Sequence, residues 1–78
     1  MNVNEFTKIF EDIVMVEHGT ITSDTQLDSL DDWDSLSRAS LLTTFEEEFN
    51  LKIDEAILRK VSSFAEILEL IKDHLINN

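Results

Sequence analysis

A serine hydroxyl that could take part in chemistry lies in the triplet Asp34-Ser35-Leu36. Aspartate is a favoured N-cap residue, so the triplet predicts that a helix begins here with the serine at its tip. Free backbone N–H groups and the helix dipole favour an anion at such a tip. A negatively charged group would therefore be stabilised at this place, although plain helix capping explains the same three residues without any chemistry.

Nucleophilic catalysis by this serine is a second possibility, and it needs a base that a third group orients. The two histidines of the chain are His18 and His74, and neither has an obvious orienting partner in the sequence. A single glycine also leaves little material for an oxyanion loop. We therefore expect that the protein is not an enzyme in its own right.

A calcium site is a third possibility, because five acids crowd the segment around the triplet: Asp24, Asp28, Asp31, Asp32 and Asp34. An EF-hand loop needs acids at alternating positions, glycine at the sixth position and glutamate at the twelfth. Counted from Asp28, these two positions hold Trp33 and Ala39. The pattern fails, and no metal site is expected.

The composition favours a single helical domain over residues 1–78. With 42% hydrophobic residues the chain can form a core, and one glycine with no proline argues against a turn-rich β fold. No cysteine is present, which excludes disulfides and thiolate metal sites. Stability must therefore come from packing.

The formal charge of −11, from 17 acidic and 6 basic residues, restricts the partners. Nucleic acid and anionic membranes repel such a chain, whereas basic patches on proteins attract it. No apolar run approaches the roughly 20 residues that cross a bilayer, and the start MNVNEFTKIF lacks the pattern of a signal peptide. We expect a cytoplasmic monomer with protein partners, no nucleic acid and no membrane insertion.

The first predicted helix runs from residue 2 to about residue 16, with Asn2 and Glu5 able to form a capping box. Glu17, His18 and Gly19 are expected to end it, because glycine is favoured where a left-handed residue closes a helix. The apolar stripe of this helix is predicted to consist of Phe6, Ile9, Phe10, Ile13 and Val16.

A long connection covers residues 20–33 and is rich in Thr, Ser and Asp. A loop of this length in a small domain is usually functional or held by its own side chains. We expect Ile21, Leu27 and Leu30 to anchor it in the core. Trp33 is expected to be a further anchor with a half-buried ring.

The second predicted helix runs from the cap Asp34 to Phe49 or Asn50. Its apolar stripe is predicted to consist of Leu36, Ala39, Leu42, Phe45 and Phe49. The side chains expected to lie largely outside this stripe, toward water, are those of Arg38, Thr44, Glu47 and Glu48.

Two further helices complete the predicted fold. Asp54 can cap a short third helix that runs to Lys60, with Ile57 and Val61 facing inward. The segment Ser63-Phe64-Ala65-Glu66 fits a capping box for the last helix, whose stripe is Phe64, Ile67, Leu68, Ile71 and Leu75. Asn77 and Asn78 are expected to fray. The predicted fold is all-α: a small four-helix bundle of three longer helices and one short third helix, with a long first loop.

The chain resembles the acyl carrier protein family over nearly its whole length. The matching features are the Asp-Ser-Leu triplet at residues 34–36, the acidic run Glu46-Glu47-Glu48-Phe49 on the same helix and the closing Leu51-Lys52-Ile53. The resemblance implies that Ser35, flanked by Asp34 and Leu36, carries a 4′-phosphopantetheine arm. A phosphopantetheinyl transferase would attach the arm from coenzyme A, and the arm would hold acyl intermediates as thioesters.

A second Asp-Ser-Leu triplet occurs at Asp28, Ser29 and Leu30. It lies one loop too early, and the acidic run is six residues further from Ser29 than from Ser35. We therefore interpret Leu30 as a loop anchor and Ser29 as a decoy.

The resemblance also implies a partner surface on the second helix. Its candidate contact residues are Asp34, Ser37, Arg38, Ser40, Leu41, Thr44, Glu47 and Glu48. The implied partners are acyl ligase, ketosynthase or acyltransferase-type enzymes with basic patches. Ser37 and Ser40 stand where fatty-acid-synthesis members often have acids, and Arg38 introduces a positive charge. Trp33 departs from their glycine-alanine context. The neighbourhood of Trp33 resembles carriers that serve polysaccharide or secondary-metabolite enzymes.

The residues that the family resemblance places around the acyl chain are Leu42, Phe45, Ile57, Val61 and Phe64. The two phenylalanines would fill volume that smaller residues leave open, which predicts a short or polar cargo. Taken together, the sequence predicts an acyl carrier protein of fatty acid or specialised biosynthesis. The alternatives are an aminoacyl carrier, loaded with D-alanine or a peptidyl group, and an unmodified acidic helical adaptor.

Overall fold

Four α-helices make up most of residues 1–75, the part of the chain that the computed structural model describes. They are α1 (Val3–Ile13), α2 (Ser35–Phe49), α3 (Glu55–Lys60) and α4 (Phe64–Ile71), with short 3₁₀ turns at Leu27–Ser29 and Lys72–His74. No strand forms within residues 1–75. The predicted four-helix bundle with a short third helix and a long first loop is confirmed. The predicted fraying of Asn77 and Asn78 lies outside the described residues.

The start of α1 follows the predicted capping box. The Glu5 N–H donates to Asn2 Oδ1 at 2.8 Å, and the Asn2 N–H donates to Glu5 Oε1 at 3.4 Å. Phe6 and Phe10 are fully buried, one helical turn apart. The face of α1 that carries Phe6 and Phe10 therefore packs into the core, and the predicted apolar stripe is confirmed at these two positions.

The end of α1 lies at Ile13, so the prediction of about residue 16 is wrong. The Val16 N–H donates to the Glu11 carbonyl at 3.0 Å and the Met15 N–H donates to the Asp12 carbonyl at 3.3 Å. These two bonds form a Schellman motif, in which Met15 is the left-handed residue with φ of 60°. Gly19 is also left-handed, with φ of 96°, but it belongs to the following loop.

The apolar stripe of α2 is rotated relative to the prediction. Its fully inward positions are Ser37, Leu41 and Phe45, spaced four residues apart, while Leu36 and Ala39 are exposed. The prediction was wrong at those two positions because it counted apolar residues only and passed over a small buried serine. Leu41 is fully buried, which contradicts its assignment to the partner surface.

The long loop pairs with the connection between α3 and α4. The Leu27 N–H donates to the Ser62 carbonyl at 2.9 Å, and the Phe64 N–H donates to the Thr25 carbonyl at 3.0 Å. Loop carbonyls thus satisfy free N–H groups at the start of α4. The predicted capping box at Ser63 is wrong for this reason, and the Glu66 carboxylate accepts a bond from the Ser62 hydroxyl at 2.7 Å instead.

The short helix α3 begins at the predicted cap, where the Ala56 N–H donates to Asp54 Oδ1 at 3.1 Å. Leu58 is its fully buried residue, Val61 is partly buried, and Ile57 is 42% exposed. The prediction that Ile57 faces inward is therefore wrong. A helix of six residues presents only about one residue per turn to the core, and that position is taken by Leu58.

The core joins all four helices and the long loop. Its fully or almost fully buried apolar residues are Phe6, Phe10, Val14, Ile21, Leu27, Leu41, Phe45, Leu58, Phe64, Ile67 and Ile71. The predicted loop anchors are confirmed, with Leu30 partly buried against this core, and so is the predicted stripe of α4. Among the described residues, none of the helices has the length and apolar character that a bilayer span requires.

Candidate functional site

Ser35 is the first residue of α2, and it is exposed. The turn around it is held by its neighbours: the Ser37 N–H donates to Asp34 Oδ1 at 3.0 Å, and the Asp34 N–H donates to the Ser37 hydroxyl oxygen at 2.8 Å. Asp34 and Ser37 therefore do the capping between them. The helix start at Ser35 is thus fixed by hydrogen bonds between its neighbours, and the Ser35 side chain takes no part in the cap.

The electrostatics of the tip combine a helix N-terminus with an ionised carboxylate. Hydrogen bonding from the Ser37 backbone N–H is the main reason why the pKa of Asp34 lies below its ordinary value. The aspartate is therefore anionic at neutral pH. An anion on Ser35 would be attracted by the free N–H groups of the first turn, which offset the repulsion from Asp34.

Arg38, a predicted partner residue, is already engaged within the chain. Its Nε donates to Glu55 Oε2 at 2.8 Å, and its guanidinium lies 5.9 Å from the centre of the Trp33 ring. Arg59 Nε lies 2.8 Å from Glu55 Oε1, and its hydrogen bond is the main cause of the lowered pKa of Glu55. The Arg38 side chain is only 17% exposed, so it ties α2 to α3.

Trp33 is the predicted half-buried anchor. The centre of its ring lies 5.7 Å from that of the Phe10 ring in α1. The same ring contacts the guanidinium of Arg38 in α2. The residue before the cap of α2 is thus attached to two helices. This attachment fixes where the loop delivers Asp34 and Ser35.

The other predicted partner residues divide between surface and interior. Ser40, Glu47 and Glu48 are exposed along α2, and Thr44 is partly buried with its hydroxyl donating to the Ser40 carbonyl at 3.1 Å. Ser37 is buried in its capping role. The acidic end of α2 therefore remains available to a partner, whereas the inward positions do not.

The residues predicted to surround an acyl chain lie at different depths. Phe45 and Phe64 are in the core, with their ring centres 6.1 Å and 6.0 Å from that of Phe6. Leu42 and Val61 are partly buried and pack against the core, and Ile57 is mostly at the surface. The two phenylalanines fill the space between the helices.

The second Asp-Ser-Leu triplet has a different setting. Ser29 ends the 3₁₀ turn Leu27–Ser29, and its hydroxyl donates to the Gln26 carbonyl at 2.6 Å. It follows no N-cap of an α-helix. Both Ser29 and Ser35 are exposed, so the difference between them lies in the local hydrogen bonding and in the helix tip.

Neither His18 nor His74 contacts the residues at the start of α2 in the contacts described. His18 Nε2 lies 2.8 Å from Asp12 Oδ1, so it does have a carboxylate partner, contrary to the expectation from sequence. It borders a groove against α1 that includes Glu11 and Gly19, while His74 lies 5.8 Å from the Phe49 ring. Neither histidine lines the groove beside Ser35.

Two features were not predicted from the sequence, the first beside Ser35 and the second at the loop that follows α1. A groove of about 160 Å³ lies between the end of α1 and the start of α2, lined in part by Ile13, Met15, Asp32, Asp34, Leu36 and Ser37. The buried Glu11 carboxylate accepts N–H bonds from Gly19 at 2.8 Å and Ile21 at 3.0 Å, which closes the first turn of the loop. Glu11 lies next to the buried Phe10 on the inward side of α1, but the loop N–H groups that it binds have no signal in the sequence.

In a comparison with known protein families, the chain matches the family described as phosphopantetheine attachment site over residues 4–71. Comparisons with curated proteins and with solved structures give no match. The matched segment contains both Asp-Ser-Leu triplets and all four helices except the first residue of α1, Val3. The chain therefore belongs to the phosphopantetheine attachment family, and its cofactor is 4′-phosphopantetheine.

Proposed function

We propose that Ser35 carries the 4′-phosphopantetheine arm and that the protein presents acyl intermediates to partner enzymes. The observation that carries this assignment is the place of Ser35: exposed, at the first position of α2, beside a cap made by Asp34 and Ser37. The hydroxyl of Ser29, the alternative, is already hydrogen-bonded within its own turn. The protein acts as a carrier and not as an enzyme, as is general for domains of this family.

For attachment of the arm, the chain has to supply an accessible serine hydroxyl, and the transferase supplies the catalytic groups. A phosphopantetheinyl transferase joins the Ser35 oxygen to the phosphopantetheine phosphorus of coenzyme A, the serine proton leaves, and adenosine 3′,5′-bisphosphate is released. When attached, the arm supplies a thiol for thioester formation. The chain has no cysteine of its own, so the arm would be its only thiol. The helix N-terminus would stabilise the phosphodiester.

The attachment is tested by intact-mass measurement after incubation with a broad-specificity phosphopantetheinyl transferase and coenzyme A. The wild-type protein and Ser29→Ala are expected to gain one phosphopantetheine each, and Ser35→Ala to gain none. Modification of Ser35→Ala with loss in Ser29→Ala would assign the arm to the other triplet. If the wild-type protein gained no mass, the unmodified acidic adaptor would replace the carrier as the proposed function.

The pathway we favour is a specialised biosynthetic one, in the cytoplasm. Its support is the altered start of α2, where Ser37 is buried in the cap and Arg38 is bound to Glu55, so that neither offers an acid to a fatty-acid-synthesis enzyme. The alternative is a carrier of D-alanyl or peptidyl groups. Loading assays of the arm-bearing protein with acyl ligases and with an amino-acid-adenylating ligase distinguish the two.

The cargo we propose is short or polar. Phe45 and Phe64 are buried against Phe6. Because protein interiors are close-packed, a long acyl chain could enter between these rings only by displacing them. We expect the melting temperature of the decanoyl form to lie within about 2 °C of that of the acetyl form. A chain bound inside the bundle would instead stabilise the folded state, so a rise of several degrees would contradict this proposal.

A further inference from the structure

Two exposed apolar side chains lie on the groove beside Ser35. Met15 is 77% exposed and Leu36 is 78% exposed, which makes them the most exposed large hydrophobic residues in the part of the chain described. They come from different segments, the turn after α1 and the start of α2, and both line the groove. Exposed apolar side chains that converge on one place mark a contact surface more often than scattered ones do.

The backbone at Met15 also indicates a function for this side chain. Met15 is the left-handed residue of the Schellman motif, with φ of 60°, where glycine is the usual residue. A methionine there strains the backbone and exposes an apolar chain to water, and neither property stabilises the folded domain. Residues held in this conformation cluster at places that contact ligands. The Met15 side chain is therefore a candidate for such a contact.

The size of the groove restricts what can occupy it. Pockets that hold a free small molecule usually measure about 300–1,000 Å³, whereas this groove measures about 160 Å³ and is open to solvent. It is thus too small to bind a free ligand tightly. A group that is tethered to the chain next to the groove needs much less affinity, because a short tether gives an effective concentration in the millimolar range.

Ser35 is a tether point of this kind, since its two neighbours in the chain, Asp34 and Leu36, both line the groove. A phosphopantetheine on Ser35 carries, directly after its phosphate, a carbon with two methyl groups, followed by a hydroxyl and an amide N–H. The methyl groups match the apolar side chains of Met15 and Leu36. The carboxylate of Asp32, which also lines the groove, can accept bonds from the hydroxyl and the N–H. The residues present therefore fit this part of the arm.

We propose that the groove formed by Ile13, Met15, Asp32 and Leu36 is a resting site for the arm on its own carrier, a proposal that rests on the proposed function. The dimethyl segment of the arm lies against Met15, on the side of Ser35 that faces the end of α1. Docked and free arms are in equilibrium, so the groove limits the fraction of carriers whose arm is fully extended. A partner enzyme draws the arm out of the groove when it takes the thiol into its own active site.

The test is methyl NMR of the protein before and after attachment of the arm, with the intact mass confirming one arm per chain. The chain has two methionines, Met1 and Met15, so ¹³C-methyl methionine gives one reporter in the groove and one internal control outside it. We expect the Met15 methyl signal to shift on attachment and to show a nuclear Overhauser effect to the dimethyl group of the arm, while the Met1 signal stays in place. A Met15 signal that neither shifts nor shows this effect in the fully modified protein would overturn the proposal.

Met15→Gly removes the apolar wall of the groove and suits the left-handed turn, so this variant is expected to fold. We expect it to lower the ratio of docked to free arm about tenfold, the loss expected for one buried apolar side chain. The dimethyl signals of the arm then move toward their positions in free pantetheine. The matched control is Val3→Thr, a change at another exposed apolar residue that does not line the groove, and it is expected to leave these signals as in the wild type.

Equal arm signals in the wild type and in Met15→Gly, or Overhauser effects from the dimethyl group to Ile57 or Val61 instead, would overturn the resting site while the carrier function stands. Absence of the arm from the intact mass, or its location on Ser29, would refute the proposed function itself. The two failures therefore have separate readouts, the methyl signals for the first and the mass for the second.

Discussion

Replacement of Phe6 by alanine is expected to lower the free energy of unfolding by about 4 kcal/mol. The Phe6 ring is fully buried, with ring centres 6.1 Å from Phe45, 6.2 Å from Phe49 and 6.0 Å from Phe64. The substitution leaves a cavity and removes several aromatic contacts at once. A domain of this size has a total stability of roughly 4–12 kcal/mol, so the substitution is expected to remove about a third of that stability or more. Urea denaturation followed by circular dichroism measures the change.

The control for this prediction is Phe6→Leu, which keeps most of the apolar volume. We expect it to cost about 1.5 kcal/mol, because the leucine can still fill part of the site. A loss of less than about 2 kcal/mol in Phe6→Ala would show that the three surrounding rings collapse onto the vacated space. The central place that we give to Phe6 in the core would then be wrong.

Replacement of Glu11 by alanine is expected to lower the free energy of unfolding by about 3 kcal/mol. The buried Glu11 carboxylate accepts N–H bonds from Gly19 and Ile21 through the same oxygen, Oε2. Alanine removes both charge-assisted bonds and leaves the Ile21 N–H without a partner in a buried position. The same denaturation experiment measures this loss, and faster amide exchange at Ile21 would locate it.

Glu11→Gln is the matched variant, because a glutamine keeps one oxygen that can accept both bonds. We expect its destabilisation to be about 1 kcal/mol, since the bonds lose only their charge assistance. Equal stability of Glu11→Ala and the wild type would show that water replaces the carboxylate at the two N–H groups. The loop would then not depend on Glu11 for its closure.

The features that were predictable from sequence depend on residues close together in the chain. The caps at Asn2, Asp34 and Asp54 need only a partner two or three residues away, and all three form as predicted. The fourth helix has a regular apolar spacing and buries Phe64 and Ile67 as expected. The serine at the tip of α2 follows from one of these local signals.

The features that were not predictable depend on contacts between distant segments. The end of α1 is set by a left-handed Met15, for which the residue type gives no indication. The start of α4 is satisfied by the Thr25 carbonyl of the long loop instead of Ser63. Burial of Glu11 depends on the loop N–H groups that reach it, and spacing along a single helix does not reveal them.

The rotation of α2 shows how one polar residue changed the interpretation of the partner surface. Ser37 forms the cap with Asp34 and lies inward, so Leu41 follows it into the core one turn later. The large apolar residue left outside is Leu36, next to Ser35. The surface that a partner would meet at this end of α2 is therefore apolar beside the serine and acidic further along, at Glu47 and Glu48.

The most direct test of the central claim is to locate the arm in the modified wild-type protein by fragmentation mass spectrometry. Trypsin cleavage after Lys8 and Arg38 releases one peptide that contains both Ser29 and Ser35. Backbone fragments that separate these two serines are expected to carry the phosphopantetheine mass only on the part with Ser35. The same mass found on the part with Ser29 would contradict the assignment and place the attachment point in the 3₁₀ turn of the loop.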